Sequence, residues 1–343
     1  MYDAVIVGAG HNGLTAAAYL AAAGLNTLVV EARDTVGGAA ATQEFAPGFR
    51  VSTASYSLSL LRPDIHRDLG LAGRGLEIVP KDPQMFVPLP GERHLFIWKD
   101  ANRSAEEISR IHPRDAIGYL QWNAFWKEAI PLFRKVIDDP EPPPLAEIES
   151  HFQQQGRAEM WRLAVAGSAA ETVSEFFESD ELRGAFASQG IIGISASPRE
   201  AGTAWVMTYH YLGGEVCGAD GTWAYVMGGM GALSETLAEV ASERGAKIRT
   251  STQAEEILVE GGRAAGVRLI DGEEIPASVV VSNADPRRTF LDLAPPGALA
   301  PEFVKTVDEW RMDGAVVKVN LALSELPEFR GLTKGGVGPE HLG

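Results

Sequence analysis

A single cysteine, Cys217, stands in a chain of 343 residues. One thiol excludes an intrachain disulfide framework, a CxxC redox pair and a cysteine-rich zinc site, and Cys217 is expected to serve as a small buried hydrophobe. Basic residues are also scarce, with 30 Lys and Arg against 46 Asp and Glu and a formal net charge of -16. That balance argues against nucleic acid as a partner, because phosphate backbones are held through clustered cations. Long apolar runs are missing. Leu14 to Leu25 is the longest, and it is Ala-rich, interrupted by Gly24 and short of the roughly 20 residues a membrane span needs. Met1-Tyr2-Asp3 runs straight into Ala4 to Val7 with no basic segment or cleavage site, so no secretory signal is predicted and a cytoplasmic protein is expected. No Ser-His-Asp order, paired-carboxylate motif or metal-ligand spacing stands out.

What is present is enough apolar material for a sizeable core, 45% of residues, in a length that suits two domains. Ala4 to Val7 reads as a buried strand, Gly13 to Ala23 as an Ala-rich helix closed by Gly24, and Asn26 to Val30 as a second buried strand, which together make a βαβ unit. Residues 37 to 61 are rich in Gly, Ala, Ser and Thr, as where backbone approaches a ligand. Helical periodicity runs from Ser104 to Val136, Asp138 to Pro144 reads as a stiff connector, and further helices are predicted over Ala158 to Phe177 and Pro198 to Tyr211. From Tyr225 a Gly-rich turn, an amphipathic helix, a strand at Lys247 to Arg249, a hairpin and a buried strand at Ala277 to Ser282 suggest a return to the first domain. The expected division is therefore 1–60 with 225–290, and 61–224 with 291–343. Gly314 to Leu323 is predicted as a further strand.

Gly8-Ala9-Gly10-His11-Asn12-Gly13 matches GxGxxG between the first strand and the helix, and Glu31 closes the second strand about 20 residues on. Gly8 suits the tight turn, Gly10 the close approach of a pyrophosphate, and Gly13 the packing of helix on strand, with the phosphates at the positive helix end. Glu31 suits ribose hydroxyls and disfavours a 2′-phosphate. His11 is expected to be a loop residue near the phosphates.

Beyond Glu31 come Arg33, Gly37 and Gly38, and this stretch resembles the ExRxxxxGG extension of flavin amine oxidases and phytoene desaturases. Thr252 to Ile257, centred on Ala254, resembles the strand that lays its backbone against the adenine in those proteins. Val280 to Pro286, with Ala284, resembles the strand-to-turn that follows. The chain is most similar to the phytoene desaturase-like branch that includes the pyridine nucleotide-disulfide oxidoreductase domain-containing protein 2 family. The resemblance implies an α/β fold, a Rossmann-type FAD-binding domain with an inserted mixed α+β substrate domain, and FAD as cofactor. The family usually has a basic residue after the glycine pair; here it is Ala39. The disulfide chemistry in that family name has no intrachain relay to use, since Cys217 stands alone. The resemblance further implies a Gly-rich segment that covers the flavin, which residues 1–343 do not contain, so a truncated or split product, or a completing subunit, is expected.

Gly314-Ala315-Val316-Val317-Lys318 resembles the G-x-V-x-K strand of flavin amine oxidases, in which the lysine holds a water against flavin N5. Lys318 is accordingly the candidate catalytic residue, although a lysine between two valines can equally reach solvent from a half-exposed strand. The aromatic stretch Trp205, Tyr209, Tyr211, Trp223 and Tyr225 can pack a core or line an apolar pocket. Three functions remain open: an FAD-dependent oxidoreductase acting on a C–H or C–N bond of an apolar or amine-bearing small molecule, a polyene desaturase or isomerase with weak membrane association, and a flavin-binding interaction protein without turnover. A homo-oligomer is compatible with each.

Overall fold

The computed structural model describes residues 1–314, 316–332 and 337–343. Two compact units divide the chain: Met1–Leu58 with Pro63–Ile78 and Tyr225–Met312, and Ser59–Arg62 with Val79–Ala224 and Asp313–Gly343. Residues 63–78 and 291–312 thus pack with the first unit.

The first unit is built on β1 (Tyr2–Val7), α1 (His11–Ala22) and β2 (Thr27–Val30). The chain returns through α2 (Met230–Glu243), β3 (Lys247–Arg249), β4 (Ala254–Glu260), β5 (Arg263–Leu269) and β6 (Glu274–Ser282). These strands form one six-stranded sheet in the order β4-β5-β6-β1-β2-β3. Pairing is parallel from β6 through β1 and β2 to β3, and antiparallel between β4, β5 and β6. Val5, Ile6, Leu28 and Val29 are fully buried, as expected for central strands covered on both faces. Ala17, Ala18 and Ala21 let α1 lie close against its neighbours, and α1 packs along α2. A hairpin of Thr42–Ala46 and Phe49–Ser52 is tied to the start of α2: the Met230 N–H donates to the Ser52 hydroxyl at 3.0 Å and the Gly231 N–H to the Thr42 hydroxyl at 2.8 Å. Those hydroxyls satisfy helix donors that side chains or ligands must otherwise meet.

The second unit is mainly helical, with a hairpin of Met85–Leu89 and Arg93–Ile97. The predicted helix over residues 104–136 is two helices, Ala101–Ser109 and Pro113–Ile137, because Pro113 cannot continue the first and instead opens the second at N1. Their apolar faces join a cluster containing Trp122, Trp126, Phe133, Phe177, Phe186 and Met207. Tyr211 stacks on Trp126 at 4.5 Å between ring centres and accepts a hydrogen bond from Trp122 Nε1 at 2.9 Å. Tyr211 therefore takes the packing role of the two the sequence left open. Arg162–Ala166 forms a π turn within the predicted helix, where the buried Thr172 and Thr208 hydroxyls donate to the Leu163 and Ala164 carbonyls.

Asp115 is 1% exposed and accepts from the Glu178 N–H at 2.7 Å, the Ser179 N–H at 3.0 Å and the Ser179 hydroxyl. Desolvation pushes its carboxyl up, but these hydrogen bonds and nearby His112 outweigh it and hold the group below its ordinary value. A depressed carboxyl contributes stability above its unfolded pKa and loses it as pH falls through the folded one. Asp115→Asn is expected to cost about 1–3 kcal/mol at neutral pH, with the gap to the unmodified chain closing below about pH 4. Urea midpoints at both pH values check this; a gap that does not change with pH contradicts it.

The predicted strand at Gly314 to Leu323 is a correction: no strand forms among the described residues there, and Ala315 lies outside them. Val317 and Val319 are 87% and 70% exposed, so these valines bury no apolar face against which an extended ladder could pack. No helix among the described residues is long and apolar enough to cross a membrane.

Candidate functional site

The site grows from the C-terminal ends of β1 and β2. Gly8 turns the chain with φ of +97°, a conformation open to glycine, and its N–H donates to the Val30 carbonyl at 2.8 Å. Gly10 then precedes α1 in extended conformation, with no side-chain cap and no acidic residue in the first turn. The early N–H groups of α1 are thus without a side-chain cap, as an anion-binding helix start requires. A Cβ at Gly13 would lie 2.3 Å from the Gly8 carbonyl oxygen, which makes glycine a requirement of the helix–strand packing. Desolvation holds the His11 imidazole below the usual histidine range.

Glu31 follows β2 and is 9% exposed. Its Oε2 accepts from the Ala9 N–H at 2.7 Å and its Oε1 from the Arg33 N–H at 2.9 Å. Each carboxylate oxygen keeps a further lone pair, so the group can hold the loop and still accept ribose hydroxyls. The Gly37 N–H donates to the Ala9 carbonyl at 2.8 Å, and Gly37 forms a parallel bridge with Gly10. A Cβ on Gly38 would come 3.2 Å from the Gly10 Cα. The second glycine pair therefore lies directly on the first, with φ of +117° at Gly37 and +56° at Gly38. Ala39 is exposed, and its carbonyl accepts from the Ser55 N–H at 2.9 Å.

The return segment reaches the same corner. The Thr252 N–H donates to the Glu31 carbonyl at 2.7 Å and the Ser251 N–H to the Arg33 carbonyl at 2.7 Å, which brings the start of β4, at Ala254, to the end of β2. The Asn283 N–H donates to the Val7 carbonyl at 2.8 Å, which places Ala284 just past the end of β1. Gly8, Gly10, Gly13, Glu31, Arg33, Gly37, Gly38, Ala39, Ala254 and Ala284 all lie in the first unit. Lys318 belongs to the second. The residue is half-buried as a whole, and partial desolvation lowers the pKa of its ammonium.

Asn283 was missed as a site residue. Its side chain packs under Gly8, Gly10 and Gly13. Only a tertiary contact shows this, and the sequence signal was no more than its place at the end of a buried strand.

The glycine cradle, the uncapped helix start and the buried carboxylate fit the ADP half of a dinucleotide, and they define a Rossmann-type nucleotide-binding α/β protein. The chain matches the family described as flavin containing amine oxidoreductase over residues 13–336, and it belongs to that family. FAD is its cofactor. Among curated relatives, the mouse pyridine nucleotide-disulfide oxidoreductase domain-containing protein 2 is 38% identical, across 96% of this chain and 61% of its own length. A neurosporene-forming phytoene desaturase from Rhodobacter capsulatus is 29% identical, across 91% of this chain and 56% of its own. A solved putrescine oxidase double mutant aligns with a TM-score of 0.58 at 18% identity, covering 90% of this chain and 63% of that one, and so shares the fold. The chain thus spans about three fifths of the curated relatives' length.

Proposed function

We propose that the protein is an FAD-dependent oxidoreductase that removes a hydride equivalent from a C–H or C–N bond of an apolar or amine-bearing small molecule. The observation that carries the reading is the clamp in which the Ala9 N–H donates to the Glu31 carboxylate and the Ala9 carbonyl accepts from the Gly37 N–H, which assembles both glycine clusters and the carboxylate in one place. In this reading the loop from Gly8 to Gly13 and the start of α1 bind the pyrophosphate, and Glu31 takes the ribose hydroxyls. Gly37, Gly38 and Ala39 line the path towards the ribityl chain, and the backbone at Ala254 and Ala284 flanks the nucleotide. Bound FAD supplies the hydride acceptor. The chain contributes orientation of the substrate bond and exclusion of water, and Lys318 is assigned to hold a water in the substrate site.

A polyene desaturase or isomerase, with a weakly membrane-associated mode of action, is the second reading; the identity to a phytoene desaturase favours it. The test loads the 343-residue chain with FAD, removes the excess and mixes it anaerobically with aliphatic amines or with a detergent-dispersed polyene. Bleaching of the flavin by amines supports the first reading, and bleaching by the polyene alone supports the second. If neither bleaches it, the oxidoreductase reading fails and flavin binding without turnover stands. Lys318→Met is expected to slow bleaching by about tenfold or more while leaving FAD content unchanged.

A further inference from the structure

We propose that the second glycine-rich turn, Gly228 to Ser234, is a scaffold for the flavin side of the nucleotide site and not another phosphate cradle, with Ser234 as its positioning residue. The proposal rests on the nucleotide-binding reading and deepens it, but it rests on no turnover.

Gly228-Gly229-Met230-Gly231 opens α2 much as Gly8 to Gly13 opens α1, yet the two helix starts differ in what meets their donors. At α2 the early donors are occupied. The Gly229 N–H donates to the Val226 carbonyl at 2.9 Å and the Ala232 N–H to the Gly229 carbonyl at 3.1 Å. Between them, the Met230 and Gly231 N–H groups are taken by the Ser52 and Thr42 hydroxyls. A phosphate would have to displace these oxygens, whereas the start of α1 has no side-chain cap.

The turn instead grips the segment just beyond the second glycine pair. A Cβ at Gly231 would lie 2.7 Å from the Thr42 backbone nitrogen, so the start of α2 lies directly against that backbone. The Ala39 and Ala41 carbonyls accept from the Ser55 and Thr53 N–H groups at 2.9 and 3.0 Å. The Ala40 carbonyl, between them, accepts from the Ser234 hydroxyl at 2.9 Å instead. Both residues are buried, so this carbonyl needs a protein donor, and the backbone N–H groups in the second turn of a helix already bond along it. Alanine is the better helix former, so the hydroxyl at 234 serves Ala40 and not α2. From Ala40 the hydrogen bonds continue inward: its N–H donates to the Gly37 carbonyl at 2.9 Å, and the Gly37 N–H to the Ala9 carbonyl at 2.8 Å. Ser234 thus fixes the outer end of the glycine pair, while Ala9, held by Glu31, fixes the inner end. Loss of the hydroxyl loosens the stretch assigned to the ribityl path and leaves the pyrophosphate loop tied to Glu31.

The experiment titrates the 343-residue chain and its Ser234→Ala variant with ADP and with FAD by calorimetry, and follows amide hydrogen exchange in the nucleotide-free proteins. Ser234→Ala is expected to weaken FAD binding by about tenfold and ADP binding by less than about threefold. Exchange should quicken over residues 37–42 and stay unchanged over residues 4–14. Thr236→Ala is the control, since its hydroxyl bonds within α2 to the Ala232 carbonyl at 2.8 Å, and it should alter neither quantity. Equal losses for ADP and FAD, no loss for either, or exchange that quickens alike in both segments overturns the proposal, because Ser234 then acts on overall stability or on nothing. An unmodified chain that binds FAD no more tightly than ADP overturns it too, since the flavin side then has nothing to position. If Ser234→Ala fails to fold, Ser234→Cys, with its weaker donor, must show the same selective loss, and the absence of that loss overturns the proposal. An unmodified chain that binds neither nucleotide defeats the nucleotide-binding reading itself, and the proposal falls with it.

Discussion

Glu31→Gln is expected to weaken ADP and FAD binding by roughly ten- to a hundredfold and to lower the melting temperature of the nucleotide-free chain. Glu31 offers two acceptor oxygens to two main-chain donors, Ala9 N–H at 2.7 Å and Arg33 N–H at 2.9 Å. Glutamine keeps the shape but replaces one oxygen by an NH2 group, so one backbone donor then faces another donor. The bond at Ala9 is buried, where an unmet donor costs about 1–3 kcal/mol, and the second loss is a charge-assisted bond. The Ala9 carbonyl also holds Gly37, so displacing Ala9 disturbs the contact between the two glycine clusters. Calorimetric titration with ADP and a thermal melt check the prediction. Unchanged affinity together with an unchanged melt would show that the carboxylate organises nothing.

Trp122→Ala is expected to lower the unfolding free energy by about 3–5 kcal/mol, the range for emptying a large aromatic site. Trp122 is 1% exposed, and its ring meets those of Trp126, Phe176, Phe177, Phe186 and Tyr211 at 5.3 to 5.7 Å. Two of these neighbours, Trp126 and Tyr211, are stacked on each other at an interplanar angle of 3°, so the void cannot close by a shift of one ring alone. Trp122→Phe separates volume from polarity: most of the packing stays, the bond from Nε1 to the Tyr211 hydroxyl is lost, and the cost should fall to about 1–2 kcal/mol. Urea denaturation followed by circular dichroism gives both values. Equal costs for the two substitutions would mean that the hydrogen bond, not the packed ring, dominates.

The parts of the fold legible in the sequence were those set by short-range chemistry. Short apolar runs and glycine placement located β1, α1 and β2 to within two residues at each end, and the strand Lys247–Arg249 has the limits that the sequence reading gave. The cofactor followed from motif and resemblance because the fingerprint glycines and Glu31 lie within one short βαβ stretch. What stayed hidden depends on distant partners. Thr42 and Ser52 read as small residues near a ligand, yet their hydroxyls serve the start of α2, far along the chain. Asn283 reads as a turn residue, and only the parallel register reveals it beneath the fingerprint. At Gly314 to Leu323 periodicity was a poor guide, because alternating valines define a strand only where another strand and a core receive them.

The parallel pairing of β1 with β6 sets a schedule for biosynthesis. Tyr2 is matched to Ala277, so the second strand's flank of β1 can form early while its other edge waits for about 275 further residues. At roughly 5–20 residues per second, a ribosome leaves that edge open for roughly 15 to 55 s. Through that interval the Val-rich ends of β1 and β2 are unpaired strand edges in a crowded compartment. The nascent chain is therefore most exposed to misassociation before its nucleotide loop is complete, and early supply of FAD cannot shorten the wait.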